Sequence, residues 1–402
     1  MTMLGRNSGK YKAQLEARHY SSGLNSKFSS EYKTFSAYVA GTREMLQRVR
    51  SFTSDSATLN QSIEGNAPFA LEPGGSGTAG KQRRWRRGIL LTHGLSDSPY
   101  CMRHLAACFQ ENGFRVLTIL LPGHGTRPGD LLEVSWQEWA KAVAFGVDQL
   151  AVEVDEVYLG GYSAGGALSL YLSTRDKRVR GLFLFSPALE ISPWAALACL
   201  HRLVSWFLPK AKWLEIKPDR DLYKYESFTN NNVEQMHALT AVLKKQGLDK
   251  LGIPIFCVAS TDDKTVNTSA TVEFMAKQGL PGNKLILYTG SAKDFSLAVK
   301  QAEAELIECV FPEQKILGSA HTAIVVPPED EHYGAHGAYA NCLHYFPLEM
   351  DKYNACVSHP RDCWQGEITP ANLKAGLLRR LTYNPHFAEM KDSLRIFIKN
   401  LP

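Results

Sequence analysis

From Gly88 onward the chain alternates short, near-continuous apolar runs with longer segments whose apolar residues recur every three or four positions. The runs are Gly88–Thr92, Arg115–Leu121, Glu156–Gly161, Gly181–Ser186 and Ile253–Ser260. Apolar runs of this length without polar alternation suit strands covered on both faces. The segments between them read as helices with legible ends. Ser98-Pro99 offers an N-cap followed by proline in the first turn. Ser135-Trp-Gln-Glu138 has the spacing of a capping box, opening a helix to about Val152. Asn267 caps a helix that Gly279 ends. Asn384-Pro385 opens a last helix that lines Phe387, Met390, Leu394, Phe397 and Ile398 along one face. The alternation predicts an α/β fold, a mostly parallel sheet with helices on both faces.

Three stretches depart from it. Residues 1–60 are polar and basic, with one amphipathic stretch, Phe35 to Phe52, and Glu72 to Gly80 is a flexible loop by composition; together 1–80 form the first unit. They read as a loosely packed arm and linker ahead of a domain spanning 81–402, or as a peripheral membrane contact. The basic run Lys81–Arg87 reads as a solvated start to the first strand. Leu189–Lys250 is far longer than a strand crossover needs. With Trp194, Trp206, Phe207, Trp213 and a helix-like run Val233–Lys245, it is expected to cap the sheet edge. Residues 326–383 form a second, irregular insertion rich in Tyr, His, Trp and Cys.

Composition narrows this little. The 402 residues are 44% hydrophobic and 21% charged with a net charge of +5, ordinary for a globular chain and no argument for nucleic acid. No apolar stretch reaches the ~18 residues of a transmembrane helix, and no charged n-region followed by an apolar h-region is visible at the start; a cytoplasmic protein is expected, with membrane association as the alternative. Of the eight cysteines, Cys257 sits in an apolar strand and reads as a buried thiol. Cys356-x-x-His359-x-x-x-Cys363 lacks a fourth ligand at suitable spacing, so no metal is expected. A disulfide among Cys342, Cys356 and Cys363 competes with the reduced state usual in cytosol.

The candidate chemistry begins at Gly161-Tyr162-Ser163-Ala164-Gly165, a G-x-S-x-G between a predicted strand and a predicted helix. Such a turn holds a serine in strained geometry at the carboxyl edge of the sheet. Alone it is weak, with ~0.1–0.2 chance matches in a chain of this length. Serine needs a base, and the base an orienting acid. The strand Ile253–Ser260 runs into Thr261-Asp262-Asp263, where the D-x-x-V spacing to Val266 favours Asp263 over Asp262. Lys315–Ser319 reads as a short strand leading to His321, which alone among the histidines combines strand-end position with the order Ser, Asp, His. His93-Gly94-Leu95 follows the first strong strand, so the backbone N–H groups of Leu95 and Ala164 are the expected oxyanion donors. His93 and His124 read as loop braces.

Together His93-Gly94, Leu121-Pro-Gly-His-Gly125, the turn at Ser163, the Asp263 turn and His321 resemble the α/β-hydrolase fold. Within it they look most like the monoacylglycerol lipase and bacterial carboxylesterase branch, whose members are also described as serine aminopeptidase-like or lysophospholipase-like. The resemblance covers about Gly88–Ile324 and the last helix. It implies attack by Ser163 on a small ester with an apolar acyl group, His321 as base, Asp263 as acid, and no cofactor. Lysophospholipase or peptidase activity, and a silent binding protein of the same fold, are the alternatives.

Overall fold

The computed structural model describes residues 14–50, 56–74, 84–191, 209–248, 250–290 and 297–402. Its strands, in chain order, are β1 (Ala70–Leu71), β2 (Trp85–Thr92), β3 (Phe114–Ile119), β4 (Val154–Tyr162), β5 (Val179–Phe185), β6 (Trp213–Glu215), β7 (Phe228–Thr229), β8 (Ile255–Ser260), β9 (Lys284–Thr289), β10 (Glu305–Glu308), β11 (Trp364–Gly366) and β12 (Leu378–Arg380). Eight form one sheet in the order β1-β3-β2-β4-β5-β8-β9-β10. All its pairings are parallel except β1, which lies antiparallel on β3 at the edge.

All five apolar runs are strands of this sheet, with ends shifted by a few residues. Alternate side chains enter opposite cores. Leu90, Leu117, Leu159 and Leu182 face one layer, and Ile89, Val116, Tyr158 and Phe183 the other. Both faces are covered, which is why the strands read as unbroken apolar runs.

The helices are α1 (Phe35–Arg50), α2 (Ser56–Asn66), α3 (Arg103–Glu111), α4 (Trp136–Glu153), α5 (Ala164–Ser173), α6 (Asn230–Gln246), α7 (Thr268–Gln278), α8 (Leu297–Gln301), α9 (Met350–Ser358) and α10 (Phe387–Lys399). Asn267 caps α7 through the Ser269 N–H, and Gly279 ends it at φ 55°. All five residues expected on the inner face of α10 are buried. The capping box at α4 does not form: the Glu138 N–H donates to the Ser135 carbonyl at 3.0 Å rather than to the serine hydroxyl, and the Glu138 carboxylate, instead of reaching back to Ser135, accepts from the Phe28 N–H at 2.9 Å and from Lys141. Ser98 likewise makes no side-chain cap bond. The strand expected at Lys315–Ser319 is absent; only isolated bridges from Ile316 to Phe311 and Gln365 remain.

Residues 14–50 are not loosely packed. The buried Tyr38 hydroxyl donates to the Leu120 carbonyl and accepts from the Leu120 N–H, both at 2.9 Å. Asn25 donates to the His124 carbonyl at 2.7 Å, and Asp130 accepts from Ser21 and Ser22. The N-terminal segment thus braces the loop after β3. Arg84, Arg86 and Arg87 pair with Asp155 and Glu156, so these arginines of the basic run are spent within the fold. Among the described residues no helix is long and apolar enough to cross a membrane.

In the first insertion α6 stands where a helix was expected, and Trp213 is buried against His19. Trp194, Trp206 and Phe207 lie outside the described residues. The second insertion is more ordered than its sequence suggests. It holds α9, the parallel pair β11 and β12, and a Cys342–Cys356 disulfide. Cys257 and Cys363 are buried thiols.

Candidate active site

β2 lies between β3 and β4, so the chain leaves the sheet centre in both directions. At such a switch point the loops at the carboxyl ends of neighbouring strands diverge and leave a crevice. The His93-Gly94-Leu95 loop after β2 and Ser163 after β4 border this crevice.

β4 ends at Tyr162 and α5 begins at Ala164, which leaves one residue for the turn. Ser163 takes it at φ 54°, ψ −114°, a region costing an L-residue on the order of 1–3 kcal/mol. Its backbone is held there. The N–H donates to Phe185 at 2.9 Å, and the carbonyl accepts from Ala167 and Ala188. The flanking glycines are sterically required. A Cβ on Gly161 would lie 2.2 Å from the Gly165 carbonyl carbon, and one on Gly165 would lie 2.1 Å from the Thr92 oxygen.

The buried His321 joins the serine to an acid. Its Nε2 lies 3.0 Å from Ser163 Oγ, and its Nδ1 2.5 Å from Asp263 Oδ2. Asp263 Oδ1 accepts from the Thr265 and Val266 N–H groups at 2.7 and 3.0 Å, which fixes the carboxylate plane. Burial alone would raise the Asp263 carboxyl. The His321 contact and the two backbone donors outweigh burial and hold it below the ordinary range. Asp262 points elsewhere, accepting from the Ser319 N–H at 3.0 Å, and burial pushes its carboxyl up to about 6. It ties down the loop that leads to His321.

His93 Nε2 accepts from the Leu121 N–H at 3.1 Å, which puts the proton on Nδ1 for the Gly94 carbonyl at 2.8 Å. Burial first, and His124 second, push its pKa well down. His124 Nδ1 meets the Pro122 carbonyl, and burial lowers the ring to about 4. His93 thus fastens the β2 loop to the β3 loop, and the His124 ring packs edge-on against it with centroids 5.0 Å apart. Leu95 borders the cavity at Ser163. Ala164 is the first residue of α5, where N–H groups have no intrahelical acceptor.

A cavity of about 290 Å³ opens beside Ser163. Leu95, Ala188, Ile191, Phe228, Met236 and Val266 give it an apolar wall; Asp97, Lys224, Glu226, Tyr339, Asn341 and Arg380 give it a polar one. Trp213 is not among its lining residues. Lys224 Nζ lies 3.2 Å from Asp97, and the Tyr339 hydroxyl donates to Glu226 at 2.8 Å. Burial raises Asp97, and lifts Glu226 to about 7. Among the described residues no group of three His, Cys, Asp or Glu is arranged for a metal.

Four residues near His321 escaped the sequence reading in this role: Tyr162, Asp262, Glu367 and Arg380. The Tyr162 hydroxyl donates to the His321 carbonyl at 3.0 Å. Tyr162 stood in the open position of the serine motif, and Asp262 beside the favoured acid. Glu367 and Arg380 lie in the insertion without periodicity, where no sequence signal marks them.

Residues 83–292 match the family model described as serine aminopeptidase, S33. The chain belongs to this family. The S33 match includes Ser163 and Asp263 and stops short of His321. A thermostable monoacylglycerol lipase of Bacillus sp. (strain H-257) is 27% identical over 203 residues, covering 50% of this chain and 76% of that protein. A carboxylesterase of Bacillus subtilis (strain 168) is 22% identical over 188 residues, 46% of this chain and 75% of that one. A solved structure described under LipS and LipT, two metagenome-derived lipolytic enzymes, is 24% identical with a TM-score of 0.46, covering 56% of this chain and 87% of that one. Membership in the S33 family, and the strand order above, make this chain an α/β-hydrolase.

Proposed function

We propose that the protein hydrolyses carboxylic esters through an acyl-enzyme on Ser163. The observation that supports this most is the continuous relay from Ser163 Oγ through His321 to Asp263. His321 Nε2 takes the serine proton as Oγ attacks the ester carbonyl. Asp263 keeps the imidazole's other proton on Nδ1 and stabilises the imidazolium. The oxyanion faces the Leu95 and Ala164 N–H groups, each such donor being worth about 3–4 kcal/mol of barrier. Collapse expels the alcohol, which receives the proton from His321. Water then attacks the acyl-serine by the same route, releasing the acid and free Ser163. The chemistry calls on no metal or cofactor.

The catalytic unit in this reading is 81–402, with 189–250 as cap and 326–383 as the opposite wall. The two-sided cavity suits an ester with one apolar acyl chain and a polar alcohol, as in a monoacylglycerol. Turnover of p-nitrophenyl esters from acetate to laurate, beside leucine p-nitroanilide and a lysophospholipid, tests this. Medium-chain esters are expected to lead, with activity lost in Ser163→Ala. Faster cleavage of the anilide replaces the esterase reading with a peptidase one. Activity confined to acetate removes the acyl-chain reading.

A further inference from the structure

His321 lies on a loop that no strand of the sheet supports, yet the relay needs its ring fixed to a fraction of an ångström. Both of its backbone polar groups are held by side chains. Tyr162 donates to its carbonyl, and its N–H donates to Glu367 Oε2 at 3.1 Å. Glu367 directly follows β11 and its side chain is only 1% exposed. The other carboxylate oxygen, Oε1, accepts from the Ile368 N–H at 2.9 Å. Arg380, the last residue of β12, donates Nη2 to Glu367 Oε2 at 2.7 Å and to Thr265 Oγ1 at 2.6 Å. Thr265 in turn supplies one of the two N–H donors to Asp263. The connections close a ring: His321 to Glu367, Arg380, Thr265, Asp263, and back to His321.

Resting on the Ser163–His321–Asp263 reading, we propose that Glu367 and Arg380 are positioning residues that hold the base loop and the acid loop in one register. Both come from the second insertion, beyond the S33 match at 83–292. A buried carboxylate such as Glu367 is costly unless it is paired and hydrogen-bonded, and here the Arg380 guanidinium, 20% exposed, and two backbone N–H groups do both. Here the pair spends that cost on the two loops whose relative placement sets the relay. A pair serving β11 and β12 alone has no need to reach His321 and Thr265.

The test measures kcat and KM on p-nitrophenyl butyrate for Glu367→Ala, Glu367→Gln, Thr265→Val and the Glu367→Ala/Thr265→Val double variant, with melting temperature and fluorophosphonate labelling rate for each. Misplacement of a catalytic group by about 1 Å costs about 100-fold, so Glu367→Ala is expected to lose about that in kcat with KM within about threefold. Gln keeps an oxygen acceptor for the His321 N–H and should recover about tenfold of the loss. Thr265→Val, which breaks only the Arg380 link, should lose a few-fold, and the double variant less than the product of the two. If Glu367→Ala fails to fold, Glu367→Gln and Thr265→Val decide. Wild-type kcat in both, or a rise in KM alone, overturns the proposal. So does a kcat loss no larger than the loss of folded protein. Wild-type protein that neither labels nor turns over ester overturns the Ser163 reading instead.

Discussion

Replacing Asp263 by Asn should nearly abolish activity, whereas the same change at Asp262 should not. In Asp263→Asn the amide oxygen can still accept from Thr265 and Val266, so the turn survives. The amide NH₂ then occupies the place of Oδ2, 2.5 Å from His321 Nδ1. A donor there forces the imidazole proton onto Nε2, facing Ser163, and the ring can no longer accept the serine proton. The same tautomer error in serine triads costs about 10⁴-fold in kcat, or about 5.4 kcal/mol at 1.36 kcal/mol per tenfold. Asp262 accepts from Ser319, whereas both ring nitrogens of His321 bond elsewhere, to Asp263 and Ser163. An amide oxygen can still take the Ser319 N–H, so Asp262→Asn should cost less than about tenfold. Steady-state kcat on p-nitrophenyl butyrate at pH 8, with circular dichroism to check the fold, decides. A greater loss in Asp262→Asn, or an Asp263→Asn enzyme within tenfold of wild type, refutes the assignment.

Three further outcomes follow from the packing and the charges. Gly165→Ala puts a methyl group 2.1 Å from a backbone oxygen; overpacking against backbone should destabilise by about 3 kcal/mol or more, and a melting temperature within 2–3 °C of wild type contradicts it. Burial holds the Glu226 carboxyl at about 7 against an ordinary 4.5, so the folded state keeps a proton that the unfolded chain has lost. Its contribution therefore falls as pH rises from about 4.5 to about 7 and is flat above. The melting temperature of Glu226→Gln, relative to wild type, should be higher at pH 8 than at pH 5; a pH-independent difference contradicts this. The Cys342–Cys356 disulfide spans a separation of 14 residues, for which loop entropy predicts about 3 kcal/mol. Asn341 and Leu343, beside Cys342, line the cavity. Cys342→Ser should therefore lower the melting temperature and raise KM more than it lowers kcat; unchanged values of both contradict it.

The parts of the candidate site carried by the sheet are legible in the sequence because strand ends announce themselves. Ser163 and Asp263 each follow an apolar run, and chain order singled out His321 even though the strand expected before it does not form. The run Leu285–Tyr288 in β9 bears the same apolar signature, while β10, with glutamate at both ends, bears none. The N-terminal segment read as loose because its contacts are polar and long-range, as with Asn25 to the His124 carbonyl. Ser135 and Glu138 show the converse. Their local spacing was right for a capping box, but a tertiary donor, the Phe28 N–H, took the carboxylate. Glu367 and Arg380 were illegible for the same reason, since their function lies in partners 46 and 115 positions away.

Fluorophosphonate labelling followed by peptide mass mapping tests the central claim most directly. One adduct is expected, on the peptide holding Ser163, absent in Ser163→Ala and formed at least about 100-fold more slowly in His321→Ala. An adduct on another residue, or labelling that survives Ser163→Ala, contradicts the account.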